Sequence, residues 1–321
     1  MKTGLVLGGG GLVGMAYHAG VLHSLEQEAG FVANDADLIV GTSAGSVVGA
    51  YVRAGWSTKD FWLLALGEHP QLAAIGGVDP LEARRQIMTP AFNSPFDLAR
   101  RAIGSAYIAG RSVLRMPLPI PGALAYMFPG GMFTMTEGRR RFAQELPAEW
   151  PDRDLYLACV DVNTGRRVVL GRPGSPEIDL PRGVMASSAI PGLYKPVRLG
   201  HMTLVDGGAH STTNLDLAVK AGCDRIIGVA PLAYDTSAVP GPVSQLIRRW
   251  PARTLAAEAS AGRGRGAEVL LLRPTAAEVR QHGVNMMRVD GLDTVAKAAY
   301  EATCRALATD RFKHLFTPHA A

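Results

Sequence analysis

The chain has 321 residues, of which 47 % are hydrophobic, 19 % charged and 7 % aromatic, and a formal net charge of +5. This reads as a soluble globular chain with core to spare, and the mild basic excess, with no zinc-finger spacing and no arginine-rich tail, gives no footing for nucleic acid. Cys159, Cys223 and Cys304 are too few and too scattered for a disulfide framework and read as plain buried thiols in a reducing compartment.

After Met1 and Lys2 the chain passes straight into a strand over residues 3–7 and a glycine loop. Nothing there has the basic region, apolar core and cleavage site of a secretory leader. No window of 18 residues is free of charge, proline and glycine, so a membrane-spanning helix is not expected. The expectation is a cytoplasmic protein, with peripheral membrane association left open. Tyr17, Val21, Leu22 and Leu25 fall at helical spacing within 13–28. A second strand follows at 37–40 and a second helix at 44–53. Between about 57 and 150 the strand signal vanishes and proline-broken helical pieces appear, which reads as a helical insertion in a single domain. Later strands are expected at 155–162, 167–170, 197–199, 202–205, 225–229 and 268–272, with helices at 214–221, 242–262 and 293–308. Alternating strands and helices predict a layered α/β fold with a mostly parallel sheet, and the turns at Asn163-Thr164-Gly165 and Gly200-His201 predict an antiparallel part.

Three constellations carry chemistry. Gly8-Gly9-Gly10-Gly11-Leu12-Val13-Gly14 joins the first strand to the first helix. Such a loop brings bare N–H groups to a helix N-terminus and cradles an anion. Gly9, Gly11 and Gly14 satisfy a dinucleotide fingerprint, which would make the protein an oxidoreductase, but the ribose-binding acid is missing. Asp35 and Asp37 precede the second strand and Gly41-Thr42 follows it. Taken alone, the loop fits a nucleotide, an oxyanion or a tight turn. Next comes Gly41-Thr42-Ser43-Ala44-Gly45, a G-x-S-x-G elbow in the strand-turn-helix setting that lifts a serine hydroxyl clear of the backbone. Asp206-Gly207-Gly208 ends a strand, either as an active-site carboxylate or as an Asp-Gly turn. None of the eight histidines, His18, His23, His69, His201, His210, His282, His314 and His319, has a recognisable catalytic setting. His210 is the alternative base if the protein is an esterase of the serine-histidine kind.

The ordered set GGGGLVG, GTSAGS, ASSAIPGLYKP at 186–196 and DGG at 206–208 resembles the patatin-like phospholipase family. The resemblance covers roughly 1–56 and 154–230. It implies a three-layer sandwich, a mostly parallel sheet flanked by helices with a helical lid, and a serine acyl hydrolase of phospholipase A, lipase or esterase type that needs neither cofactor nor metal. It also implies Ser43 as nucleophile, Asp206 as its partner in a dyad, and Gly9, Gly10 and Gly11 as oxyanion donors. Gly14, Gly41, Gly45, Pro191, Gly207 and Gly208 complete the motifs. Val13 stands where the family commonly carries Arg or Lys.

The expected substrate is a lipid acyl ester. From Leu98 to Thr136 there is no acidic residue, and Arg100, Arg101, Arg111 and Arg115 fall within an arc of roughly 100° on one helix face. The uncharged stretch 116–136 carries Met127, Phe128, Met132 and Phe133. A basic face followed by an apolar loop suits a lid resting on anionic headgroups, and equally a solvated helix face beside a loop packed on the core.

Overall fold

The computed structural model describes residues 1–70, 88–113, 130–235 and 242–309. Strands β1 (Thr3–Leu7), β2 (Leu38–Gly41), β5 (Asp154–Asp161), β9 (Arg225–Val229) and β10 (Glu268–Leu272) form a parallel array in the order β10-β9-β1-β2-β5. Three antiparallel partners extend it: β6 (Arg166–Leu170) and β8 (Met202–Asp206) both pair with β5, and β7 (Val197–Leu199) pairs with β8.

Period-2 alternation on the strands decides the layering. Leu5 and Leu7 of β1, Ile39 of β2 and Leu155 and Leu157 of β5 enter one core, while Val6, Leu38, Val40, Tyr156 and Ala158 enter the other. Both faces are covered, so the strands read as nearly unbroken apolar runs, as parallel sheets do. On the first face lie α1 (Gly11–Ala29), α2 (Ala44–Arg53) and α10 (Leu292–Leu307), which contribute Leu22, Val48 and Ala296. The opposite core takes Leu217 from α7 (Asp216–Lys220) and Leu255 from α8 (Pro242–Gly264). This is the expected α/β sandwich.

The remaining described elements are α3 (Thr58–Leu66), α4 (Pro95–Val113), α5 (Thr136–Glu145), α6 (Leu180–Ser187) and α9 (Ala276–His282). Where no strand was expected, β3 (Thr89–Pro90) and β4 (Phe133–Thr134) form a short antiparallel pair. Two residues each are too few to leave an alternating pattern. Cys159 and Cys223 are buried thiols as expected, whereas Cys304 is only half-buried and its sulfur meets the Ser24 hydroxyl at 3.3 Å.

Candidate active site

Strand register brings the site together. β1 and β2 are adjacent and parallel, so the glycine loop and the serine elbow leave the sheet side by side. Gly41 of β2 is level with Leu157 of β5, and β5 runs on as far as Asp161. On that overhang β8 pairs antiparallel, with Asp206 opposite Cys159. The chain following Gly41 and the end of β8 therefore reach the same level near the top of β5.

Ser43 sits at φ 53° and ψ −119° between β2 and α2, one of two described non-glycine residues with positive φ. Such a conformation costs roughly 1–3 kcal/mol and persists only where the surroundings hold it. Here the surroundings are tight. A Cβ on Gly45 would lie 1.9 Å from the Leu7 carbonyl oxygen, and one on Gly41 2.6 Å from Ser46 Cα. The Ser43 N–H donates to the Ser187 hydroxyl at 3.2 Å, and that hydroxyl donates to the Ala158 carbonyl at 2.8 Å. Ser46 donates to the Ser43 carbonyl at 2.6 Å. From the far side Asn214, itself at φ 52°, donates through Nδ2 to the Thr42 hydroxyl at 3.0 Å.

The glycine loop lies against this serine, since a Cβ on Gly9 would come within 3.2 Å of Ser43 Cβ. Gly8 donates to the Val229 carbonyl and Gly9 to the Thr212 carbonyl at 2.8 Å. Gly9 is thus an anchor of the loop, its N–H already spent. Among the described residues nothing accepts from the N–H groups of Gly10 and Gly11, which open α1 where the helix dipole favours negative charge. Gly14 donates back to the Gly10 carbonyl at 2.7 Å and closes the first turn. Beneath the loop His18 is fully buried, with Nε2 at 2.7 Å from the Gly8 carbonyl. A carbonyl only accepts, so Nε2 carries the hydrogen and Nδ1 is bare, and among the described residues Nδ1 has no partner. Burial pushes the His18 pKa down to about 4, so the ring is neutral and acts as a strut.

Asp206 is 4 % exposed, and the Ser43 hydroxyl lies close enough to its carboxylate to favour the ionised form. Its Oδ1 accepts from the Gly208 N–H at 2.7 Å. Burial raises its pKa from 3.8 to about 6, while the nearby Ser43 hydroxyl and the Gly208 N–H pull the other way. A Cβ on Gly207 would sit 2.4 Å from the Ala158 carbonyl, so only glycine lets the chain turn there. The backbone of Asp206 is held by the Ala189 carbonyl at 2.9 Å, in the turn that contains Pro191.

Other expectations fare differently. Asp37 accepts from the Thr3 N–H at 2.6 Å and Asp35 pairs with Arg153 at 3.4 Å, both at the end of the sheet opposite the glycine loop. Neither carboxylate reaches a nucleotide on that loop. His210 follows the turn Gly207–Ala209, two residues past the Gly208 that caps Asp206. Of the expected four-arginine face, the side chains of Arg100 and Arg101 lie within the described residues. Arg101 is only 12 % exposed at its side chain and is ion-paired with Asp97 at 3.0 Å, an i,i+4 partner lying just outside the acid-free stretch. Arg115, Met127, Phe128, His314, His319 and the side chain of Arg111 lie outside the described residues. Among the described residues no three His, Cys, Asp or Glu side chains are grouped to hold a metal ion, and no helix is long and apolar enough to cross a membrane. Ser187, Asn214 and His18 support the site without a trace in the sequence pattern, because lone polar residues carry no spacing signature.

The model of the patatin-like phospholipase family matches residues 5–219. Among solved structures the chain is similar to VipD from Legionella pneumophila, at 14 % identity and a TM-score of 0.47, covering 95 % of this chain and 66 % of that one. It is also similar to the type III effector protein ExoU, at 15 % identity and 0.40, covering 99 % and 54 %. The ExoU–SpcU complex of Pseudomonas aeruginosa gives 20 % and 0.31, covering 96 % and 59 %. The chain therefore spans between about half and two thirds of the length of these structures. By the family model, which takes in the glycine loop, the elbow and Asp206, this chain belongs to the patatin-like phospholipase family.

Proposed function

We propose that the protein is a serine lipid acyl hydrolase working through a Ser43/Asp206 dyad. Family membership supports hydrolysis of lipid esters as the class of activity. The observation that supports the dyad is the placement of the Ser43 hydroxyl beside the buried Asp206 carboxylate, whose pKa burial lifts to about 6. An aspartate at its ordinary pKa near 4 is a weak base. Raised toward the working pH, it is better matched to receiving a proton.

In this reading Ser43 Oγ attacks the ester carbonyl while Asp206 takes its proton. The carbonyl oxygen, now an anion, is held by the N–H groups of Gly10 and Gly11, with Gly9 fixing the loop. Each well-aimed donor contributes about 3 kcal/mol to the transition state. Asp206 returns the proton to the leaving alcohol, leaving an acyl-enzyme on Ser43. Water, deprotonated by the same carboxylate, then releases the fatty acid. His18 and Ser187 hold the parts in place.

The test is hydrolysis of a short, soluble chromogenic acyl ester. Ser43→Ala should abolish turnover, Asp206→Asn should lower kcat by about 10²–10⁴-fold, and His210→Ala should leave it near the wild-type value. Full activity in Asp206→Asn together with loss in His210→Ala would replace the dyad with a histidine base.

A further inference from the structure

Helix α8 turns an apolar stripe toward solvent. Val243, Leu246, Ile247 and Trp250 are between 45 and 78 % exposed, although a helix on a folded core normally buries such residues. Their spacing, i, i+3, i+4 and i+7, sets them within an arc of roughly 100° on one face. The opposite face is the one that packs, through Arg248, Pro251, Leu255, Ala259 and Gly262. Val284, 61 % exposed, lines the same small surface cavity as Ile247 and extends the stripe across the neighbouring loop.

The exposed charge on this helix has one sign. Arg249, Arg253 and Arg263 are exposed, whereas its single acid, Glu258, is turned inward to accept from the Thr213 hydroxyl and the Leu215 N–H. An exposed apolar stripe bordered by arginines, on a helix with no exposed carboxylate of its own, matches an anionic lipid interface, into which apolar side chains and Trp sink while guanidinium groups meet headgroups.

The stripe is also joined to the glycine loop. Arg248, buried on the packed face of the same helix, donates to the Pro231 carbonyl at 2.6 Å and the Ala233 carbonyl at 3.1 Å. Pro231 packs against Gly10, and the Met286 carbonyl accepts from the Val13 N–H at 3.1 Å. Gly11, at φ 58°, is enclosed by Met286 and Met287, so a Cβ there would lie 2.5 Å from the Met286 oxygen. Arg248 and Pro231 thus link α8 to the loop that carries the proposed oxyanion donors.

We propose that the α8 stripe, with Val284, is the face by which the protein docks on anionic lipid bilayers and sets its glycine loop at the lipid–water boundary. The choice of lipid as occupant rests on the acyl hydrolase reading above, and the docking itself requires no turnover.

The test uses the full chain carrying Ser43→Ala, sedimented with phosphatidylcholine vesicles and with vesicles containing phosphatidylglycerol. Binding is expected to favour the anionic vesicles and to weaken with salt. The double variant Leu246→Glu/Trp250→Glu should lower the partition coefficient at least about tenfold. Arg249→Glu/Arg253→Glu, which keeps the stripe, should remove the preference for anionic lipid. In the active background both variants should hydrolyse the soluble ester at the wild-type rate, which shows that they fold and keeps this inference separate from the dyad. Equal vesicle binding by wild type and the Leu246/Trp250 variant would overturn it. So would a wild-type dimer that this variant splits while vesicle binding stays unchanged, since the occupant would then be a second copy of the chain.

Discussion

At the scale of single residues, the account turns on a carboxylate kept out of water. Burial lifts the Asp206 pKa from 3.8 to about 6, and catalysis needs its ionised form. The acid limb of kcat/KM for a soluble ester should therefore bend near pH 6, with rates falling about tenfold per unit below it. The same burial carries a stability cost of definite sign. The native state holds the proton more tightly than the unfolded chain, so stability falls as pH rises from about 4 to about 6 and stays lowered above that. A shift of this size is worth about 3 kcal/mol. Asp206→Asn removes the charge and retains an acceptor for Gly208, so it should melt higher than wild type at pH 8 while losing activity. The gain should vanish near pH 4, which thermal melts at the two pH values will show. Lower stability of Asp206→Asn at pH 8 would mean that the carboxylate is not a buried charge.

At the scale of elements, β1 with its loop and β2 with its elbow work as one assembly. Gly45 lets α2 pass directly over the Leu7 carbonyl, at 1.9 Å from where a Cβ would be. Gly45→Ala should cost at least about 3 kcal/mol, measured by denaturant titration. Among the described residues His18 supports the loop through its hydrogen bond with the Gly8 carbonyl, at 2.7 Å. His18→Ala should lower kcat by about 10²-fold with KM little changed, since slight misplacement of donors costs about that much. An equal rise in KM would point to a general loosening instead. These two motifs were legible in the sequence because glycine at fixed spacing, between a strand and a helix, is the physical requirement itself. The level of Asp206 was not. The strand-end rule belongs to parallel sheets, whereas β8 is antiparallel to β5, and the pairing of Asp206 with Cys159 is set by long-range register. Two short helices stand where none was expected, although their signals are present in the sequence. α6 begins with Asp179 accepting from the Arg182 N–H, and α9 with the reciprocal capping box of Thr275 and Glu278.

At the scale of the whole molecule, the two faces of the sheet divide the work. The face with α1 and α10 buries the neutral histidines His18 and His282, whose pKa values burial lowers to about 4 and about 3. Both fall below the unfolded value near 6.5, so their contribution is full above that pH and drains away as pH falls. Each should cost about 2 kcal/mol of stability between pH 6.5 and 5, offset in part by the protonation of Asp206, and urea titrations at the two pH values will measure it. The other face carries α8, whose exposed stripe lies beside the loop that the first face supports. Composition could not reveal that stripe, because its apolar residues look like core until the buried face is known. The most direct measurement of the central claim is the rate of labelling by a serine-directed fluorophosphonate, with the adduct mapped by mass spectrometry. The dyad predicts a single adduct on Ser43 that forms at least about 10²-fold more slowly in Asp206→Asn. An adduct on another residue, or an unchanged rate in Asp206→Asn, would contradict it.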